Sequence, residues 1–120
     1  MATFLLVDDS FIMRKTLRIT IEKLGHQVVG EATDGRDAYE KFSMLKPDGV
    51  IMDIEMPNVN GIEAIKKICS EFPNSKILVV SNHNEKDLIV EALKNGAKYY
   101  LLKPISDETL KKGIEILFSK

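Results

Sequence analysis

Four of the five apolar segments in this chain are followed by polar residues whose side chains can do chemistry. The first segment leads into Asp8 and Asp9, the third into Asp53, the fourth into Ser81 and the fifth into Lys103. The carboxyl ends of parallel strands open on one edge of a sheet, and ligands of open α/β sheets bind there. The sequence therefore predicts one site that contains three carboxylates, a hydroxyl and an amine.

Three clustered carboxylates need a counter-charge. Two carboxylates about 4 Å apart repel by roughly 4 kcal/mol at an effective dielectric constant near 20. Either one acid takes up a proton or a cation lies among them. Oxygen ligands with open positions suit Mg²⁺, with Mn²⁺ as a possible substitute. We expect Lys103 to pair with Asp53, and Ser81 to offer a hydroxyl donor. This set of groups favours phosphoryl transfer to an aspartate, without any organic cofactor.

The composition narrows the class of protein. The chain has 120 residues, 44% hydrophobic and 29% charged, as is typical of a globular domain. Its formal net charge of -1 gives no field that would attract nucleic acid or an anionic membrane. The apolar segments are too short to span a bilayer, and the N-terminus lacks a signal segment. We expect residues 1–120 to be a single cytoplasmic domain, with no direct nucleic-acid binding and no membrane insertion.

Strand-like and helix-like segments alternate along the whole chain. The strands are rich in Val, Ile and Leu, as expected for strands covered on both faces, and lie at 3–7, 27–32, 49–53, 76–81 and 98–103. Apolar residues at helical spacing mark a helix after each strand. Ser10 and Ser106 are the expected N-caps of the first and last helices, and Gly25 is the expected stop of the first.

This alternation predicts an α/β fold, (βα)₅, with a doubly wound parallel sheet in the flavodoxin-like order 2-1-3-4-5. In that order the topological switch lies beside strands 1 and 3. Asp8, Asp9 and Asp53 follow these two strands. The expected position of a ligand therefore coincides with the position of the acids.

Five short motifs carry a resemblance to a known family. They are VDDS at 7–10, ATDGRDA at 32–38, MDIEMPNVNG at 52–61, VVSN at 79–82 and LKP at 102–104. Each motif is weak alone, but their order and spacing along the whole chain resemble the CheY-like receiver domain of two-component response regulators. The strand order 2-1-3-4-5 is a standard property of that family, so it adds no independent support.

The resemblance implies a role for each acid. Asp53 is implied to be the phosphoacceptor. Asp9 and Asp53 are implied to bind Mg²⁺ directly, together with the backbone carbonyl of Glu55, while Asp8 holds the metal mostly through water. The phosphoryl donor would be a sensor histidine kinase or a histidine phosphotransfer protein. Such a protein catalyses only its own phosphorylation and dephosphorylation, so we expect no other enzyme activity.

The resemblance also implies a conformational switch. Ser81 and Lys103 would contact the phosphoryl group, with a cis peptide bond before Pro104. Tyr100 matches the aromatic residue whose rotamer follows Ser81. The surface formed by helix 4, strand 5 and helix 5 would then change and control a downstream effector protein, such as the flagellar motor in chemotaxis or a component of a phosphorelay.

Some positions depart from the family pattern or vary within it. Asn82 stands where receivers usually have alanine or glycine, and Tyr99 replaces a residue that is commonly small or acidic. Glu55 and His83 occupy two variable positions that tune the reaction with water. Because of these residues, the resemblance does not determine how long a phosphoryl group would remain on Asp53 or which surface a partner would bind.

Several alternative functions remain open at this point. The chain is either a protein that acts alone or a receiver module from a longer regulator with an output domain. A phosphatase of the haloacid dehalogenase type also forms an aspartyl-phosphate, but it needs a substrate cap and a second, later acid pair. A flavodoxin-like cofactor binder needs phosphate-binding amides after strand 1, where this chain has Asp8 and Asp9.

Overall fold

The structure, a computed structural model, describes residues 1–56 and 60–119. Strands and helices alternate along the chain, as the sequence predicts. The elements are β1 (Thr3–Val7), α1 (Phe11–Lys23), β2 (Gln27–Ala32), α2 (Gly35–Leu45), β3 (Gly49–Met52), α3 (Gly61–Glu71), β4 (Ile77–Ser81), α4 (Lys86–Lys94), β5 (Tyr99–Leu102) and α5 (Asp107–Leu117). Residues 57–59 of the third motif lie outside the described residues.

The five strands form one parallel sheet in the order β2-β1-β3-β4-β5. The predicted fold class and strand order are therefore confirmed. Three strands are shorter than predicted: β3 ends before Asp53, β4 begins at Ile77, and β5 runs only from Tyr99 to Leu102. The Asp53 amide still donates to the Val7 carbonyl at 2.8 Å, and the Lys103 amide donates to Ser81 at 2.8 Å. These backbone bonds extend the ladders by one step and fix the two residues at the sheet edge.

The core has two layers because alternate residues of each strand point to opposite faces. Leu5 and Val7 of β1 pack with α2, α3 and α4, whereas Phe4 and Leu6 pack with α1 and α5. The central strands β1, β3 and β4 are buried almost throughout, while β2 and β5 are partly exposed. The edge strands have only one neighbour, so the uniform burial that we expected holds only for the centre. No described helix has both the length and the apolar character needed to cross a membrane.

Side-chain caps set where the helices begin. The hydroxyl of Ser10 accepts from the Met13 amide, and the hydroxyl of Ser106 accepts from the Thr109 amide, both at 3.1 Å. Both predicted caps are confirmed. Gly25 has a φ of 90° and follows α1, as predicted for a helix stop. Because α1 begins at Phe11, the first two acids lie in a short segment between β1 and this helix.

The start of α3 packs directly against the end of β3. The Gly61 amide donates to the Ile54 carbonyl at 2.7 Å. A Cβ atom at position 61 would lie 2.2 Å from the backbone oxygen of Asp53 and 2.7 Å from the Ile54 Cα. Only glycine permits this approach, because backbone atoms cannot move aside as a flexible side chain does.

We predict that Gly61→Ala destabilises the fold by about 1–3 kcal/mol, the usual cost of overpacking. Gly25→Ala is the control, since its Cβ would meet nothing within 4 Å and only its positive φ of 90° opposes the change. It should cost about 1 kcal/mol. Urea denaturation of both variants measures the two costs. A Gly61→Ala protein as stable as the parent would contradict the close contact.

Candidate functional site

The sheet edge brings together the three acids that follow β1 and β3. One carboxylate oxygen from each of Asp8, Asp9 and Asp53 lies within 4.8 Å of the others. Asp8 and Asp53 are only 2% and 8% exposed, whereas Asp9 is open to solvent. All the donors are hard oxygen atoms and one side of the cluster is accessible. This donor set suits a hydrated divalent cation such as Mg²⁺.

Lys103 lies between the two buried acids. Its Nζ donates to Asp8 Oδ2 at 2.9 Å and lies 3.6 Å from Asp53 Oδ2. The predicted ion pair with Asp53 is present, but the closer partner is Asp8, whose other oxygen accepts from the Ser10 amide at 2.9 Å. The Lys103 side chain is only 12% exposed, and the bond to Pro104 is cis, as the resemblance implies.

The carboxyl group of Asp53 has an unfavourable environment for its charged form. Burial is the main cause that raises its pKa above the ordinary value, and the negative charges of Asp8 and Asp9 add to the effect. The Lys103 ammonium and a 2.8 Å hydrogen bond from the Ile54 amide act in the opposite direction without cancelling it. A cation at this cluster would therefore stabilise the ionised form.

Ser81 and Tyr100 both contact the backbone of His83. The Ser81 hydroxyl, which is fully buried, accepts from the His83 amide at 3.1 Å. The Tyr100 hydroxyl donates to the His83 carbonyl at 2.7 Å. Burial raises the pKa of Tyr100, and a hydrogen bond with Ser81 opposes that rise. The structure thus places the two predicted switch residues against the same loop segment.

The side chain of His83 forms an ion pair that the sequence analysis missed. Its Nε2 contacts the carboxylate of Glu55, and its Nδ1 lies 3.4 Å from Glu85. The hydrogen bond to Glu55 is the main cause that raises the pKa of His83. The spacing could have predicted this contact, because Glu55 follows Asp53 by two residues and His83 follows Ser81 by two. Adjacent strands β3 and β4 bring these equivalent loop positions together.

This arrangement can support chemistry on Asp53. It combines a buried carboxylate, a neighbouring ammonium group, a buried hydroxyl and two further acids that can hold a cation. The three acids and Lys103 meet at the topological switch beside β1 and β3, and Ser81 ends the neighbouring strand β4. Asn82, by contrast, is exposed at the rim of a groove that also borders Lys103.

Comparison with known proteins identifies the family. A sequence profile described as "Response regulator receiver domain" matches residues 4–115. The chain belongs to the response regulator receiver family. The receiver is 51% identical to the chemotaxis protein CheY of Thermotoga maritima over 100 residues, which cover 83% of each protein. It is therefore a CheY-like receiver of the two-component type, and members of this family act as signalling proteins rather than as classical enzymes.

Other relatives and solved structures agree with this assignment. The receiver is 49% identical to the protein-glutamate methylesterase/protein-glutamine glutaminase of T. maritima over 102 residues, which are 83% of this chain but 30% of that protein. CheY in the CheX-CheY-BeF3-Mg+2 complex of Borrelia burgdorferi superposes with a TM-score of 0.94 at 28% identity, covering 98% of the receiver and 90% of that chain. Vibrio cholerae CheY4 gives a TM-score of 0.90 at 31% identity, covering 98% and 99%. Both similarities confirm the predicted CheY-like, flavodoxin-like fold.

We predict that Asp53→Asn stabilises the metal-free receiver by about 1 kcal/mol, less than the roughly 4 kcal/mol of one close carboxylate pair at an effective dielectric constant near 20, because Lys103 offsets most of the repulsion. Millimolar Mg²⁺ should raise the melting temperature of the parent by mass action and reduce the gain from the substitution. Glu115→Gln removes one exposed negative charge on α5 and is the control. Thermal denaturation with and without Mg²⁺ measures both effects. A melting temperature that does not change with Mg²⁺ would count against a shared metal site.

The stabilisation by Asp53→Asn should also depend on pH. The pKa of Asp53 is higher in the fold than in the unfolded chain, so the folded protein binds more protons in that range. The destabilisation is therefore fully present above the folded pKa and disappears as the pH falls toward the unfolded value. The Asp53→Asn advantage should shrink over that interval, and an advantage that grows with acid would refute the assigned cause.

Proposed function

We propose that this receiver accepts a phosphoryl group on Asp53 from a phosphohistidine of a sensor histidine kinase or a histidine phosphotransfer protein. The observation that carries the proposal is the position of Lys103, whose ammonium lies 2.9 Å from Asp8 and 3.6 Å from Asp53. A second carboxylate holds the amine beside Asp53, so the amine is available to an incoming phosphoryl group. The similarity to CheY of T. maritima supports the same function.

The transfer is a displacement at phosphorus. A carboxylate oxygen of Asp53 forms a bond to phosphorus, while the bond from phosphorus to the donor imidazole nitrogen breaks. The electron pair of that bond remains on the nitrogen, so the imidazole leaves neutral when its other ring nitrogen carries a proton. Lys103 places its positive charge near the phosphoryl oxygens, and the Ser81 hydroxyl turns to donate to one of them.

Asp8, Asp9 and Asp53 would hold Mg²⁺, or Mn²⁺ in its place, together with the backbone carbonyl of Glu55. When bound, the cation neutralises negative charge on the phosphoryl oxygens and on the acid cluster. The clustering of the three carboxylates within 4.8 Å supports this assignment. Asp8 is already bonded to Lys103 and the Ser10 amide, which favours its contact with the metal through water.

Phosphorylation would be transmitted through the His83 backbone. The Ser81 hydroxyl now accepts from the His83 amide. When this hydroxyl turns to a phosphoryl oxygen, the loop at 81–84 moves inward and carries the His83 carbonyl that holds Tyr100. The change is a shift between two populated states, and the differential contacts of the phosphoryl group limit its size.

The surface of α4, β5 and α5 is the proposed effector site. Tyr100 of β5 is half-buried, and the three elements and the loop before β5 carry exposed apolar and basic side chains. They are Leu93, Leu102, Ile116, Lys94, Lys98 and Lys111. Apolar side chains with a basic rim suit an apolar segment that carries acidic residues. We propose an effector protein of this kind in the cytoplasm, with chemotaxis as the favoured pathway because the T. maritima CheY covers most of the chain.

We predict that the parent takes up one phosphoryl group from acetyl phosphate, and only with Mg²⁺ or Mn²⁺. Asp53→Asn should abolish uptake because the nucleophilic oxygen is lost. Asp9→Ala should slow it at limiting Mg²⁺ because a metal ligand is lost. Asp87→Asn, which alters an exposed acid on α4, is the control and should behave like the parent. Intact-mass measurement decides the matter: a normal phosphate increment on Asp53→Asn would exclude Asp53 as the acceptor.

We also predict that Ser81→Ala accepts phosphate but transmits it poorly. Beryllofluoride, a mimic of the phosphoryl group, should change amide exchange across residues 82–105 in the parent and much less in Ser81→Ala. Ser75→Ala removes another buried hydroxyl, outside the site, and should respond like the parent. If Ser81→Ala responds as strongly as the parent, then this hydroxyl is not the trigger for Tyr100.

A further inference from the structure

A second charged cluster lies beside the acids, at the junction of α1 and β2. Two arginines of α1 bind the carboxylate of Glu31 on β2. The Nε of Arg14 donates to Oε1 at 2.8 Å, and the Nη2 of Arg18 donates to Oε2 at 2.6 Å. The hydrogen bond from Arg18 is the main cause that lowers the pKa of Glu31, and Arg14 adds to it. The charged Glu31 carboxylate therefore holds both guanidinium groups in place through hydrogen bonds.

Of these two arginines, only Arg14 also forms a hydrogen bond to the acid site. Its Nη1 donates to the backbone carbonyl of Asp8 at 2.7 Å, and its side chain is only 13% exposed. The planar guanidinium thus joins Glu31 and the Asp8 carbonyl in one rigid unit. Arg18 binds the same Glu31 carboxylate but has no hydrogen bond to Asp8 among the described residues.

The Asp8 carbonyl belongs to the peptide group that joins Asp8 to Asp9. A peptide group is planar, so a bond to its carbonyl fixes the direction in which the chain enters Asp9. The Asp9 carboxylate has no hydrogen-bond or ion-pair partner within residues 1–56 and 60–119. The backbone therefore sets the direction of its Cα–Cβ bond, and with it the region that the carboxylate can reach in its side-chain rotamers. Arg14 restrains this backbone at the Asp8 carbonyl, and the Asp8 carboxylate restrains it at the Ser10 amide.

We propose that Arg14, supported by Glu31, is a positioning residue for the metal site, because it fixes the Asp8–Asp9 peptide and hence the Asp9 carboxylate. Arg14 binds neither metal nor phosphoryl group. The inference rests on the proposed function, since it requires that Asp9 be a metal ligand. Arg14 lies on α1 and was not among the site residues that the sequence analysis predicted from the strand ends.

The sign of the effect separates positioning from simple electrostatics. Arg14 is a cation near the acid cluster, so on charge alone its removal would strengthen binding of Mg²⁺. If Arg14 positions Asp9, its removal weakens binding, because the metal must then order a displaced ligand. The two explanations therefore predict opposite changes in the dissociation constant.

The experiment compares Arg14→Met with Arg18→Met in the full chain. Both substitutions remove one positive charge and one hydrogen-bond partner from Glu31, but only the first removes the bond to the Asp8 carbonyl. Titration calorimetry with MgCl₂ measures the dissociation constants, and thermal denaturation in EDTA compares the stability of the metal-free proteins. We expect about tenfold weaker binding for Arg14→Met, a typical cost of losing support for a metal ligand, and binding close to that of the parent for Arg18→Met.

Arg14→Lys keeps the charge but lacks the planar group that reaches both partners, so it should also bind Mg²⁺ more weakly than the parent. This variant decides the question if Arg14→Met does not fold. Binding by the Arg14 variants as tight as that of Arg18→Met, or tighter, would overturn the positioning role while the parent still binds Mg²⁺. A parent that shows no Mg²⁺ binding would overturn the proposed metal site and this inference together.

Discussion

Two carboxylates are buried side by side at the ends of adjacent strands, and a single ammonium group lies between them. Asp8 and Asp53 follow β1 and β3, and the backbone bond from the Asp53 amide to the Val7 carbonyl fixes their separation. Burial raises the pKa of Asp53, and Lys103, which lies closer to Asp8, lowers that pKa without cancelling the effect of burial. The proposed cation site, the reactivity proposed for Asp53 and the predicted response of the fold to metal all follow from this imbalance.

The contacts of Lys103, Ser81 and Tyr100 are arranged around these two buried carboxylates. Lys103 is kept at the site by its hydrogen bond to Asp8, and in the proposed function it would also contact a phosphoryl group on Asp53. The loop after β4 is held by two hydroxyls, from Ser81 and Tyr100, on opposite sides of the His83 peptide segment. A new negative group on Asp53 would compete for one of these hydroxyls, and the second would then respond. In the proposed function, a local change of charge would in this way reach the surface of α4, β5 and α5.

The sequence predicted the strand order and the meeting of the acids because both follow from alternation of elements and from strand ends. It could not predict which acid Lys103 approaches, because that depends on distances of about an ångström at the sheet edge. Nor could it predict the close packing at Gly113 inside α5, where a Cβ would lie 2.8 Å from the Leu101 side chain. The contact of Arg14 with the Asp8 carbonyl was equally hidden, since a charged residue on a helix is usually solvated.

The most direct test of this account is the titration of the Asp53 carboxyl group, followed by ¹³C NMR with and without Mg²⁺. We predict that the pKa of Asp53 lies above the ordinary aspartate value in the metal-free protein, because burial and Asp8 disfavour the charged form more than Lys103 favours it. Saturating Mg²⁺ should lower that pKa below the metal-free value. An Asp53 that titrates at the ordinary value and does not respond to Mg²⁺ would contradict the central claim.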